Sequence, residues 1–438
     1  MCLVFCRNMP AITSAIAPLG VRNMKILDRD KFKREVTVQA ITVLRDKIRP
    51  VIAVLKPFLL KLEKFNPVQD YPSDMEANPM KIILLHPDKV NSWSDLPSVV
   101  RSSLNDNNVT ENSLKTKNIV LTYDNWKVEQ ILNAVLDDES VTGYSQIGHI
   151  IHLNLRDQVL EYKHLIGQVF LDKYKVCRTV IHKQKGIDNT YRTFSMEVLA
   201  GEEDFFAQVR VNGYRFEFDF SKVYWNPRLE SEHLRIVSAL KPTDVLFDVF
   251  CGVGPFAIPA AKREVTVYAN DLNPDSIKWL THNAKLNKVK NNLHIFNDDG
   301  ANFISNNFKE YLKDICECKI VAKGEIHVTM NLPSMAVEFL QYFIGILSGV
   351  DISKLECEII IHVYCFTTIE EPEKVATDLV KENIKYDISE HIKTVFNVRR
   401  VSPKKDMMRV SFKLPHEVLL GNVESAEPPA KKVCKSSD

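Results

Sequence analysis

Four short stretches in the second half of the chain carry side chains able to hold a nucleotide. "DVFCGVGPF" begins at Asp248 and contains Gly252 and Gly254, which let the backbone turn sharply and approach a ligand before a helix opens at Pro255. "ANDLN" sets Asp271 and Leu272 after an apolar run, where a carboxylate accepts both hydroxyls of a ribose. "NDDG" sets Asp299 and Gly300 after the next run, where a carboxylate receives an adenine amino group. "NLP" closes a further run with Asn331 and Pro333. Together they outline an adenosine site.

The owner of the adenosine is chosen by charge. Gly252-x-Gly254-x-x-Ala257 followed by Asp271 nearly satisfies a dinucleotide fingerprint, so a nicotinamide cofactor stays in view. Asp248, however, lies four residues before the first glycine, where it repels a pyrophosphate and welcomes a cationic amino group. The acidic pair ending the third run and the "NLP" ending the fourth point the same way, since methyltransferases acting on planar nitrogens set an amide and a carbonyl against the base edge there. S-adenosylmethionine is the expected cofactor. Upstream, "YWNPRLESEHLRI" at 224 to 236 crowds Tyr224, Glu232 and His233 just before the glycine turn. By pattern alone it is also an amphipathic helix behind a Pro-containing turn.

Such residues need a scaffold that gathers strand ends. After residue 235 the chain alternates strand and helix, from "DVLFDVF" through "VTVYAND", "NLHIFNDDG", "EIHVTMNLP" and "CEIIIHVYCF" to closing strands near "IKTVFNV" and "MMRVSFKL". This predicts a doubly wound, mostly parallel α/β sheet with its ligands beyond the carboxyl ends of the strands. The methyltransferase-like region is expected over 223 to 415. Residues 28 to 105 read as a small α+β unit, with a helical pattern across "VTVQAITVLRDKIRPVIAVLKPFLLKL" and a strand at "KIILLH". Residues 106 to 118 read as a polar linker, 119 to 222 as a mostly β unit with a hairpin turn at "VNGYRF", and 416 to 438 as a disordered tail.

A net charge of +1 gives no global field for a nucleic acid, which must then be held by local basic runs. One runs from Lys173 to Arg192 and another from His391 to Lys413. The nine cysteines are scattered without a C-x-x-C pair, which argues for reduced thiols and against a structural zinc site, and no metal is expected. No run of about 18 apolar residues predicts a membrane span. Residues 1 to 27 hold Arg7, Arg22 and Lys25 with no acid, the composition of a mitochondrial presequence. Met9 and Met24 as internal starts would remove much of it, so the mitochondrial matrix, nucleus and cytoplasm are all expected locations.

In their order and spacing, "YWNPRLESEHLRI", "DVFCGVGPFAIPAAK", "ANDLNPDS" and "MNLPSMAVEFL" resemble the eukaryotic/archaeal tRNA (guanine-37-N1)-methyltransferases. "IGHIIHLNLR" and "YRTFSMEVLAG" extend the resemblance upstream, to about 28 to 415. It implies a Rossmann-like class I methyltransferase domain behind a β-rich tRNA-binding domain and a small α+β domain that checks tRNA shape. It also implies a monomer with no obligate protein partner, acting on tRNA with G at position 37. By resemblance Glu232 is the general base at N1, Arg192 of "YRTF" stabilises charge on O6, Asn331 and Pro333 hold the base edge, and Tyr224 lies beside it. His233, Asp248, Gly252, Gly254, Asp271, Leu272, Asp299, Gly300 and Asn331 contact the cofactor. Cys251 departs from the small residue common in that turn and is small enough to leave binding intact. Two alternatives share the fold: the related transferase that moves the aminocarboxypropyl group of the same cofactor, and a non-catalytic tRNA-binding protein.

Overall fold

The computed structural model describes residues 16 to 71, 80 to 136, 143 to 187 and 194 to 423. Arg192 and residues 1 to 15 lie outside these. The chain divides into two compact units, one of 1 to 183 with 196 to 204, the other of 184 to 195 with 205 to 438.

In the first unit, β1 (Arg34–Leu44), β2 (Val68–Asp70), β3 (Met80–Leu84) and β4 (Leu114–Leu121) form an antiparallel sheet in the order β2-β3-β1-β4, with α1 (Ile48–Leu55) and α2 (Ser98–Asn105). The expected helix over "VTVQAITVL" is a strand. Its β-branched residues fit a pleat, burying Val36, Val38 and Ala40 on one face and Ile41 and Val43 on the other. The expected linker is also partly a strand: residues from Leu114 pair with β1 through Lys115↔Ala40 and Lys117↔Val38. β4 is an edge strand, and its lysines, which made the tract read as a linker, are the residues that blunt an edge.

The rest of this unit holds α3 (Val128–Val135), β5 (Tyr144–Ile147), β6 (Ile150–Leu153), α4 (Lys163–Lys173) and all but the facing ends of β7 (Thr179–Ile187) and β8 (Phe194–Gly201), with sheet order β5-β6-β7-β8. One core runs from Val36 of the first sheet through Trp126, Ile131 and Phe170 to Leu199, so the two expected domains share their interior. Ile16 and Val21 belong to that core, and the guanidinium of Arg22 donates to the Leu136 carbonyl. From Ile16 on, the presequence-like stretch is therefore built into the fold.

The second unit opens with the hairpin of β9 (Phe206–Val211) and β10 (Tyr214–Asp219), turning at Asn212–Gly213 as expected. It belongs with this unit, not with the β-rich one. Then come α5 (Glu230–Ala239), β11 (Val245–Asp248), α6 (Ala257–Lys262), β12 (Thr266–Asn270), α7 (Pro274–Leu286) and β13 (Leu293–Phe296). After α8 (Gly300–Phe303), a π-helical turn and α9 (Lys309–Cys316) follow β14 (Ile326–Met330), β15 (Ile359–Thr367), α10 (Pro372–Ile384), β16 (Ile392–Ser402), β17 (Lys405–Lys413) and α11 (His416–Leu420). The sheet order is β13-β12-β11-β14-β15-β17-β16, parallel except for β17, which runs antiparallel to both neighbours. This is the predicted doubly wound sheet, with the order reversing between β11 and β14.

The free edge strand β10 is closed by side chains of α7: the amide oxygens of Asn287 and Asn283 accept the backbone N–H of Arg215 and Glu217 at 2.9 and 2.8 Å. Residues 416 to 423 are not a disordered tail. Val418 and Leu419 are fully buried, and the carbonyls of both accept N–H groups from Gly345 and Leu347. Burying such side chains contributes about 1.5–3 kcal/mol each.

Candidate active site

β11 delivers Asp248 to the sheet's carboxyl edge with no exposed surface. One oxygen accepts the Thr329 hydroxyl of the neighbouring strand at 2.9 Å; the other, Oδ2, is buried without a hydrogen-bond partner. Burial, with the charge of Asp271 adding to it, pushes this carboxyl up to about 7. A carboxylate so placed is stabilised by any cation that reaches Oδ2. The glycine turn follows. Gly252 has φ +53° and open space beside its Cα, while Gly254 has φ +98° and a Cβ there would stand 2.5 Å from Leu280 Cδ1. The helix opens two residues later than expected, at Ala257. Cys251, just before Gly252, is buried, and burial holds its thiol well above the usual range, which removes it as a nucleophile.

At the end of β12, Asp271 is bound from both sides by backbone: Oδ2 accepts the N–H of Gly252 at 2.8 Å and Oδ1 that of Asn273 at 2.9 Å. The Ser276 side chain also bonds this carboxylate, and its remaining acceptor capacity is left for a hydroxyl. Asn270, expected among the strand-ending residues but given no contact, does the positioning: its amide donates to the carbonyls of Val249 and Asp298 and accepts the N–H of Asp298 at 2.9 Å. It thus clamps three strand ends together. Asp299 spends one oxygen capping α8 through the N–H of Ala301 at 2.8 Å, leaving the other for an amino group. Leu272 is 43% exposed, an apolar surface beside Asp271, and Gly300 is packed under Phe250.

Asn331 follows β14, the central strand next to the reversal. Its amide oxygen is buried and has no partner, the second unsatisfied polar atom at this edge. The Pro333 carbonyl accepts the N–H of Phe366 on β15 at 3.0 Å, which fixes the "NLP" turn.

The 224 to 236 stretch is held by Trp225, buried against Phe216 and Phe218 of the hairpin. Tyr224 beside it is 51% exposed, and Asn226 caps the helical turn through the Arg228 N–H. Glu232 is 3% exposed and held by three side chains. Oε1 accepts the Tyr364 hydroxyl at 3.0 Å and pairs with Arg409 at 3.1 Å, while Oε2 pairs with Arg235. Arg235 lies over the Phe396 ring at 3.9 Å and is 44% exposed; Arg409 is buried. Tyr364 and Arg409 face each other across β15 and β17, and no local motif announced them. Their only signal was a polar residue inside each apolar strand. His233 packs edge-on against Phe256 at 4.6 Å, and burial pushes its imidazole down to about 3, so it is neutral. Phe256 also meets Tyr364, which sets the Glu232 helix against the start of α6.

The basic runs are more engaged than expected. Lys173 donates to the Tyr123 carbonyl, and Arg178 pairs with Asp204. In the second run Lys393 and Lys413 pair with Glu358, Arg400 with Asp406 and Arg409 with Glu232. These charges serve the fold first.

Residues 207–396 match the TRM5/TYW2 methyltransferase domain, and residues 128–204 the TYW2 N-terminal domain. A Drosophila melanogaster protein named tRNA (guanine(37)-N(1))-methyltransferase is 45% identical over 420 residues, 94% of this chain and 90% of the relative. A Homo sapiens protein of that name is 42% identical over 422 residues, 95% of this chain and 82% of the relative. In fold, the chain is similar to WT Trm5b from Pyrococcus abyssi, with a TM-score of 0.57 at 23% identity over 86% of this chain and 99% of that one. It is equally similar, at 0.57 and 22% identity, to aTrm5 in a complex with tRNALeu, over 86% of this chain and 100% of that one.

Proposed function

The chain belongs to the tRNA (guanine(37)-N(1))-methyltransferase family, and from that premise we propose that it methylates N1 of guanine 37 in tRNA with S-adenosylmethionine, using Glu232 as base. The observation that carries the site is that two of the buried polar atoms at the carboxyl edge, Asp248 Oδ2 and Asn331 Oδ1, have no partner among the described residues. An amino acid cation and a donor edge are the chemistry these two lack. When bound, S-adenosylmethionine supplies an electrophilic methyl on a sulfonium.

The residues fit that cofactor: Asp248 for its ammonium, Asp271 for its ribose, Asp299 for the adenine amino group, and the Gly252–Gly254 turn for close backbone approach. Leu272 offers a surface to the adenine face, Gly300 closes the floor, and His233 is a neutral wall. Asn331, with Pro333 fixing its turn, accepts from the guanine edge. Tyr224 is exposed and free to lie against the base. Glu232 would take the N1 proton on Oε2 as the nitrogen gains its methyl. Oε2 is the oxygen whose partner can withdraw, because Arg235 is exposed while Tyr364 and Arg409 stay buried on Oε1. Arg192, outside the described residues, is proposed for O6 on the family resemblance alone. We also propose a monomer. Any matrix-targeting leader is proposed to end before Ile16, because Ile16 and Val21 are core residues.

The match of 128–204 to a TYW2 N-terminal domain favours one second reading, transfer of the aminocarboxypropyl group. Two labels separate them. Protein incubated with G37 and A37 transcripts should move label from methyl-labelled S-adenosylmethionine to the G37 transcript only, recovered as 1-methylguanosine. Label arriving from the carboxyl-labelled cofactor instead supports the second reading; transfer from neither supports a binding protein.

A further inference from the structure

The amino edge of the same sheet holds a second cluster that methylation does not use. Asp244, just before β11, and Glu325 and His327, at the start of β14, bring one ligand atom each to within 4.8 Å of one another. His327 is 5% exposed, yet its Nε2 is buried with no hydrogen-bond partner. That nitrogen stands 3.6 Å from Asp244 Oδ2 and 3.4 Å from Glu325 Oε2.

Everything around the three atoms is fixed. His327 Nδ1 is 3.0 Å from His362 Nε2, and His362 Nδ1 is 2.8 Å from the Ser411 hydroxyl, a relay across three strands. Asp244 Oδ2 accepts the Lys241 N–H at 2.8 Å, and Oδ1 accepts the Glu325 N–H at 3.0 Å. Lys393 lies 4.0 Å from Glu325 Oε1 and pairs more closely with Glu358, at 2.6 Å, so Glu325 Oε2 is turned to the histidine. Where Nδ1–H donates along the relay, Nε2 turns a lone pair toward two carboxylates, and a cation between them satisfies all three.

The spacing fits a metal. Ligand atoms 2.0–2.1 Å from a tetrahedral zinc stand about 3.3–3.4 Å from one another, close to the two distances found here. We propose that Asp244, Glu325 and His327 bind one divalent transition-metal ion, zinc by its donor set, at the sheet edge opposite the methyl-transfer site. A cavity of about 330 Å³, whose lining includes Asp244, Glu325, Glu356 and Cys357, opens beside them and admits a solvent ligand. The His362–Ser411 relay orients the imidazole as hydrogen-bonded neighbours do in known histidine sites. The ion would pin β14 to the turn before β11.

The test uses the full chain, stripped with a chelator, dialysed against zinc and passed through gel filtration before elemental analysis. One zinc per chain is expected, with a thermal transition raised by roughly 5 °C at saturating metal. Glu325→Gln, at a partly exposed position, and His327→Gln should each weaken zinc binding at least tenfold, judged by competition with a chromogenic chelator on protein of unchanged circular dichroism. Wild-type protein that retains no zinc overturns the proposal. So does a folded Glu325→Gln protein that binds zinc as tightly as wild type.

Discussion

Asp248 at the carboxyl end of β11 and Asp244 just before its amino end are nearly inaccessible to solvent, at 0% and 1% exposure, yet their oxygens are served differently. Both oxygens of Asp244 accept backbone N–H groups, from Lys241 and Glu325. Asp248 receives one hydroxyl, and its second oxygen has nothing. Neither is an accident of burial, since a buried carboxylate oxygen without a donor costs about 1–3 kcal/mol or more. The amino edge satisfies its carboxylate from within the fold and aims a spare nitrogen at it. The carboxyl edge leaves an acceptor unsatisfied, and the proposed missing partner is the cofactor's ammonium. Glu232 stands between these cases, fully engaged by its own chain but with one exposed partner, Arg235.

The largest effect should come from Glu232. Glu232→Gln keeps the shape of the network and should lower the single-turnover methylation rate by about 10² to 10⁴, with tRNA and cofactor affinities retained. An unchanged rate would remove Glu232 from the mechanism and leave it a carboxylate that serves the fold. Asp248→Asn should weaken cofactor binding about tenfold to a hundredfold in calorimetric titration, the worth of a hydrogen bond to a charged group.

The same variant carries a pH signature. The carboxyl of Asp248 is raised in the fold from 3.8 to about 7, so between those values the folded state holds more protons than the unfolded one. Stability from this residue therefore falls as pH rises from about 4 to 7, and stays lost above. Cofactor-free Asp248→Asn protein should melt higher than wild type at pH 7.5, with the difference shrinking toward pH 4. Equal melting at both pH values would remove the contrast between the two aspartates.

The smallest expected effects separate the two glycines. Gly254→Ala meets the Leu280 and Ile258 side chains in a left-handed backbone and should cost about 2–4 kcal/mol in denaturant unfolding. Gly252→Ala meets nothing and should cost about 1 kcal/mol of backbone strain while still weakening the cofactor. Equal destabilisation would show that packing under the turn is not what Gly254 serves.

Much of the second unit was readable because its signals are local. Long apolar strands ending in Asp248, Asp271 and Asn331 announce both the sheet and its ligand edge. The first unit was read less well, for reasons that are also local. β1 is β-branched and amphipathic by turns, so its period misled, and β4 is an edge strand whose lysines resemble a linker. The C-terminal helix α11 was read as tail because two buried residues, Val418 and Leu419, make too short a pattern to notice. The basic runs misled in the opposite direction, since charge along a chain does not say which acid folds back onto it.

By itself the sequence determined the parallel α/β architecture and which acidic and amide residues end its strands, because each depends on residues within a few positions of one another. It could not yield the partners of Glu232. Tyr364 and Arg409 come from strands more than 130 residues away and meet only because β15 and β17 pair in one register. Nor could it show that Asp248 and Asn331 keep an unsatisfied atom, because an empty valence is defined by every neighbour at once. The His327 cluster has the same origin. Three ordinary residues acquire a common centre only when β11 and β14 are laid side by side.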